Sequence, residues 1–299
     1  MDFLQLQYFQ TVARLEHMTK AAETLSIAQP SLSKSISRLE EELGVRLFDR
    51  EGRTIKLNSM GKAFLQRVDR VFMELNEGRQ EVQQLAGLQE GSITLAVTIS
   101  KILPELLGSF LSEYPKVHLR QVMEPAVRIK QQLESGEIDF CITSLPIEGD
   151  HLIWEPLMTE EIFLLVPQDH PLSFRSSISL SEVREDRFIS LNSGYGFRRL
   201  TDEFCRKAGF MPNTAFEGDE PAVIGSLVNK GLGVAFVPAM SVADIVLHST
   251  SRLRISSPEC RRTIGLVYSD RTYKSMAAQR FHVYCREYFK QLFIDLQKL

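Results

Sequence analysis

The stretch Gln29-Pro30-Ser31-Leu32-Ser33-Lys34-Ser35-Ile36-Ser37-Arg38-Leu39-Glu40-Glu41-Glu42-Leu43 decides how the first part of the chain is read. Pro30 suits the first turn of a helix, where its missing N–H costs nothing. At about 100° per residue, Leu32, Ile36, Leu39 and Leu43 fall on one side and form a core stripe. The opposite side is small, hydroxylated and basic over two turns, with Pro30, Ser33, Lys34, Ser37 and Arg38, and the acids wait until the end. A helix that enters a major groove needs short side chains for close approach, cations for phosphates or guanine edges, and its carboxylates held away from the duplex.

The neighbours of this helix strengthen that reading over an ordinary surface helix. Upstream, Leu4, Tyr8, Val12 and Leu15 repeat at helical spacing, and a second short helix starts with Thr19 as its N-cap and runs through Leu25. Downstream, Val45–Phe48 and Arg53–Leu57 read as two strands around the Glu51-Gly52 turn, with Arg50 and Arg53 at its tip. Helix-turn-helix plus a basic hairpin is a DNA-reading arrangement. Residues 1–58 hold eight acids and eight bases, so affinity has to come from segregated charge and from binding in pairs, and it should fall steeply with salt.

The pairing device follows directly. From Ser59 to Leu88 there is no proline, and Phe64, Val68, Val71, Leu75, Gly78, Val82 and Leu85 alternate steps of four and three residues, a heptad seam with one gap. After Gly91 strands alternate with helices, the mark of an α/β sheet. Composition agrees with a two-domain globular chain: 299 residues, 43% hydrophobic, 24% charged and a net charge of −3. The start of the chain lacks a secretory pattern and no apolar run reaches membrane-spanning length, so a cytoplasmic protein without membrane contact is expected. Four scattered cysteines, without a C-x-x-C pair, read as small buried hydrophobes, and no metal is expected.

Leu6-Gln7-Tyr8-Phe9, Thr19–Leu25, Ala28–Ser33, Ile36–Glu40, Leu43–Arg50 and Leu57–Gly61 together resemble the LysR-type transcriptional regulators. Leu133–Asp139, Val166–Leu172 and Gly231–Pro238 extend the resemblance over essentially the whole chain. It implies an α+β multidomain protein: a winged helix-turn-helix over 1–58, a dimerisation linker helix over 59–88, and a two-lobed, periplasmic-binding-protein-like effector domain over 89–299. Lobe I would take 89–160 and 269–299 and lobe II 161–268, with crossings near Glu160 and Tyr268. The carried-over DNA contacts are Gln29, Pro30, Ser31, Ser33, Lys34 and Arg38, with Arg50 and Arg53 in the wing. Lys34 stands where the family often has arginine, which shifts that contact from bidentate base reading toward phosphate. The resemblance also implies a tetramer made from two dimers, and RNA polymerase as a partner where the protein activates transcription.

Loops at the carboxyl ends of strands are where open α/β sheets take ligands. Thr98 and Ser100 follow the first strand, Thr143 and Ser144 end another, and Asn192, Ser193 and Phe197 enter a helix; with Phe236 they form the expected effector set. Hydroxyls and amides at helix starts favour a small anion or carboxylate, although helix capping accounts for Ser100 equally well. Arg198 either adds a cation there or is simply exposed. No cofactor is expected, nor an enzyme: Gly194-Tyr195-Gly196 and Gly231-Leu232-Gly233 lack the rest of a dinucleotide fingerprint, and the six histidines are dispersed.

Overall fold

In a computed structural model of the chain, the described residues are 1–51, 54–85, 91–242, 250–272 and 274–296. They fall into two units, one over Met1–Ala86 with Ser135–Glu137, whose first part is the head, and a larger one over Gly87–Glu134 and Ile138–Leu299.

The head consists of α1 (Phe3–Leu15), α2 (Met18–Thr24), α3 (Gln29–Leu43), the hairpin strands β1 (Phe48–Glu51) and β2 (Thr54–Leu57), and α4 (Ser59–Leu85). Asp2 opens α1 in a capping box with Gln5. The cap of α2 is His17, whose Nδ1 accepts the Lys20 N–H at 3.3 Å, so Thr19 lies inside the helix instead of capping it. Gly44 ends α3 at φ +71°, a left-handed cap that glycine adopts without steric cost. The hairpin begins at Phe48, later than Val45, because residues 44–47 turn the chain off α3. Gly61, in the first turn of α4, lies so close to Leu47 that a Cβ there would collide with its carbonyl oxygen.

The head core is Phe9, Val12, Ala21, Leu32, Ile36, Leu39, Leu47, Phe48 and Val68. This corrects the upper end of the heptad seam. Val68 is 2% exposed and Phe64 packs on Phe9 with ring centroids 5.1 Å apart, so both serve the head itself. The first turns of α4 must cover α1, and their apolar positions are consumed by that. Farther along, Val71, Leu75 and Val82 are 40%, 51% and 65% exposed.

The larger unit has two lobes. Lobe I holds β3 (Ser92–Val97), α5 (Leu103–Glu113), β4 (His118–Val122), α6 (Ala126–Glu134) and β5 (Phe140–Thr143). Then β6 (Leu152–Pro167) runs sixteen residues without a break, through lobe I and on into lobe II. Lobe II adds β7 (Ser177–Ser179), β8 (Arg187–Leu191), α7 (Gly196–Lys207), β9 (Asn213–Gly218), α8 (Pro221–Asn229), β10 (Ala235–Pro238) and β11 (Thr250–Ser257). The return strand β12 (Arg261–Ser269) leads to the terminal helix α9 (Met276–Leu296).

In lobe I the strand order is β4-β3-β5-β12-β6, with β3 parallel to β4 and β5. In lobe II, β6 is flanked by β10 and β11, and Phe188 of β8 makes an isolated parallel bridge to Val234, the residue just before β10. The return crossing falls at Arg261–Arg262, opposite Glu161 and Glu160, not near Tyr268: β12 pairs with β5 from Gly265 onward and so already belongs to lobe I.

Candidate nucleic-acid interface and ligand cleft

On α3, Leu32, Ile36 and Leu39 are buried, while Gln29, Pro30, Ser31, Lys34 and Arg38 are exposed and Ser33 is half-buried. Ala28 precedes the helix and offers no side-chain cap; in the first turn Pro30 has no N–H and the Ser31 N–H already donates to the Ala28 carbonyl at 3.0 Å, which leaves the Gln29 N–H without a capping side chain. Lys34 and Arg38 have no ion-pair partner among the described residues.

The acids at the far end of α3 are mostly occupied. Glu40 is buried, and its Oε1 accepts the N–H groups of Leu47 at 2.8 Å and Phe48 at 3.3 Å, which pins the hairpin to the helix. Glu42 takes the amino group of Met1 at 2.7 Å. Nearby Glu16 accepts the Leu57 N–H at 2.8 Å. Of this set only Glu41 is exposed without such a tie. The result is a face whose cations have no ion-pair partner among the described residues and whose neighbouring carboxylates, Glu41 apart, are bound to backbone N–H groups or to the Met1 amino group, the electrostatic form a phosphate-rich partner requires. Arg53 lies outside the described residues, as do the side chains of Arg50 and Leu85.

In the larger unit the strand ends bring two groups of expected residues to their loops. Thr98 and Ser100 are exposed after β3; the Thr98 N–H donates to the Ile142 carbonyl at 3.0 Å, which holds that loop beside the end of β5. The first helical turn there is capped by Ile99 with no side-chain bond, so Ser100 does not act as the cap. Thr143 is buried and bonds with the backbone of Leu145 at 3.3 Å, while Ser144 is half-buried.

Ahead of α7, Asn192 donates through Nδ2 to Asp219 at 2.6 Å, and the Tyr195 hydroxyl donates to the Asp219 carbonyl at 3.2 Å. Ser193 is exposed. The helix opens at Tyr195 without a side-chain cap, leaving the N–H groups around Phe197 available. Phe236 does not join this set. It stacks on Phe188 at 5.8 Å inside the lobe II core, because alternation along the extended chain turns Phe236 of β10, and Val234 just before it, toward Phe204 and Cys205 of α7.

Arg198 is not the exposed side chain that one of its two expected readings gives; it is mostly buried and held by neighbours. It donates to Asp202 at 2.7 Å, Glu217 at 2.8 Å, Thr214 and the Leu191 carbonyl. Burial pulls its pKa down, and the two carboxylates more than offset that, for a net upward shift.

Two charged residues on the lobe crossing escaped sequence reading. Glu160 and Arg262 face each other across β6 and β12, both buried, with Glu160 Oε1 2.7 Å from Arg262 Nε. They are 102 positions apart in the chain, and neither stands in a motif that would have joined them. Burial pushes the thiols of Cys141, Cys205 and Cys260 up to about 12, and that of Cys285 also upward. Among the described residues no group of three His, Cys, Asp or Glu side chains could hold a metal ion, and no helix is long and apolar enough to cross a membrane.

Comparison with known proteins bears on both regions. Residues 3–62 match the bacterial regulatory helix-turn-helix protein, lysR family, and residues 64–290 match the LysR substrate binding domain. The uncharacterized HTH-type transcriptional regulator YybE of Bacillus subtilis is 40% identical over 294 residues, 97% of this chain and 100% of that protein. The transcriptional dual regulator GltC of the same organism is 30% identical over 296 residues, 98% and 99% of the two chains. Among solved structures, full-length CbnR complexed with its target DNA superposes with a TM-score of 0.56 at 25% identity, covering 97% of this chain and 100% of that one.

Proposed function

The chain belongs to the LysR family of DNA-binding transcriptional regulators, whose C-terminal domain takes a small-molecule effector, and from that premise we propose how its own residues divide the work. The N-terminal turns of α3 enter the major groove. Gln29, Pro30, Ser31 and Ser33 make the close approach, Lys34 and Arg38 neutralise phosphate or read guanine, and Arg50 and Arg53 reach along the backbone from the wing. Units 1–58, 59–88 and 89–299 act as reader, coupler and sensor in the cytoplasm. The chain pairs through α4 from Val71 onward, with Leu75, Val82 and Leu85, and two such pairs make a tetramer. A small carboxylate binds between the lobes at Thr98, Ser100, Thr143, Ser144, Asn192, Ser193 and Phe197, and RNA polymerase is the further partner where transcription is activated.

The observation that carries this reading is that Lys34 and Arg38 have no ion-pair partner among the described residues, on a helix face whose nearby acids, Glu41 apart, are tied off. A head with balanced charge keeps its cations free only at a cost in self-association and salt sensitivity, and a polyanion is the partner that repays it. The test is genomic mapping of the full chain's binding sites, followed by titration of a recovered fragment between about 50 and 200 mM salt, where a dimer making six to ten phosphate contacts loses roughly a thousandfold or more in affinity. Absence of enriched sites, or salt-independent binding, would overturn the reading.

A further inference from the structure

The two lobes are joined by β6 and β12, and the contacts on that joint are more specific than a two-strand ladder requires. Glu160 Oε1 is 2.7 Å from both Nε and Nη2 of Arg262. Glu160 Oε2 accepts the backbone N–H of Met240 at 2.8 Å. Met240 lies in the short turn Ala239–Ser241 after β10, and its side chain packs on the core of lobe I. The guanidinium of Arg262 sits 5.2 Å over the ring of Phe197, in the first turn of α7. One residue back along β6 and one forward along β12, the hydroxyls of Thr159 and Thr263 bond at 2.9 Å.

One carboxylate and one guanidinium thus join four segments: both crossing strands, the β10 turn that reaches into lobe I, and the entrance to α7. The side chains of Arg262 and Glu160 are 6% and 1% exposed. Burying such a pair is no efficient way to gain stability, since well-packed apolar residues of similar volume often do as well or better. Its contribution is geometric. A planar fork held at two points and stacked on a ring accepts one arrangement and resists intermediate ones, which is how small displacements at a site become discrete domain rotations.

We infer that Glu160 and Arg262 are positioning residues that set the angle between the lobes and link it to the α7 entrance through Phe197. This rests on the reading that the cleft takes an effector only for its purpose; the geometric claim stands by itself. A group seated at the α7 entrance moves Phe197 against Arg262, and Arg262 passes the displacement to β6 and to the Met240 turn.

The experiment uses the full chain carrying Ser112→Cys on α5 and Glu203→Cys on α7, both exposed positions, spin-labelled there and diluted into excess unlabelled chain. The four native thiols are buried and stay unlabelled. The parent gives a narrow interlobe distance distribution. Glu160→Leu with Arg262→Met is expected to keep the melting temperature and the affinity for a mapped genomic fragment, and to broaden and shift that distribution. A distribution indistinguishable from the parent would overturn the inference. Should the apolar pair fail to fold, Arg262→Lys decides: lysine keeps the charge but loses the fork and the stack, so broadening supports the inference and a parental distribution refutes it. If the parent itself binds no genomic fragment, the functional reading falls while the distance result still judges the hinge.

Discussion

The α3 face and the loops proposed for the effector treat their polar groups differently. On α3, Lys34 and Arg38 stand without ion-pair partners among the described residues, and it is the acids that are engaged. Among the residues proposed for the effector, Asn192 is engaged by Asp219 and Thr143 by Leu145, while Ser100 and Ser193 stay exposed; nearby, Arg198 is held by four acceptors and Arg262 by Glu160. A surface that meets a polyanion gains from cations that wait unpaired, because released counterions supply the free energy. A pocket for a small molecule gains from groups already held in place, because ordering them on binding would subtract from affinity.

The harshest way to break the contrast is to reverse it on α3. Lys34→Glu with Arg38→Glu should reduce operator affinity by roughly a hundredfold or more, since each charge-assisted contact is replaced by repulsion. Circular dichroism and thermal melting should be unchanged, because both side chains are exposed; a melting shift would mean that they support the fold.

Removing the tie on the acid side tests the same contrast from within. Glu40→Ala leaves the N–H groups of Leu47 and Phe48 without their acceptor and should cost the head about 1–3 kcal/mol, read by denaturant titration of the N-terminal signals. A milder probe is Lys34→Ala, which should weaken binding severalfold at moderate salt and lower the salt slope by about one. An unaltered slope would take Lys34 off the phosphates.

On the cleft side, Thr98→Ala with Ser100→Ala should blunt the effector response and leave DNA affinity near the parent value. An intact response in a reporter driven by a mapped site would move the pocket elsewhere. The smallest expected effect concerns the buried thiols. With Cys141, Cys205 and Cys260 pushed up to about 12, the folded chain should resist thiol reagents near neutral pH. The folded state holds these protons more tightly than the unfolded one. Their contribution is therefore fully present below the ordinary thiol pKa near 9 and is lost as pH rises toward 12. Rapid labelling at pH 8 would contradict this.

The contrast also explains what could be read without coordinates. The α3 face was legible because one helix carries its stripe, its cations and its acids in consecutive turns, where periodicity exposes them. The heptad seam was legible as a period but not as a boundary: Phe64 and Val68 repeat like Val71 and Leu75, and only packing against Phe9 distinguishes them. Phe236 failed similarly, since alternation gives two faces and no indication of which meets solvent. The hinge pair was invisible because it joins residues far apart in sequence, and the return crossing was misplaced for the same reason, as β12 takes its lobe from its partners.

Lobe II lies between the halves of lobe I, and this has a consequence for biosynthesis. Phe281, Cys285 and Phe289 of α9 fill the same core as Leu95, Phe110 and Phe140. As the polypeptide leaves the ribosome, the head is complete early and lobe II can close once β11 has emerged, but lobe I must wait, half-built, for the final helix. A nascent chain stalled before residue 276 would therefore carry a finished DNA reader on an open, sticky half-lobe, a natural substrate for chaperones or proteases.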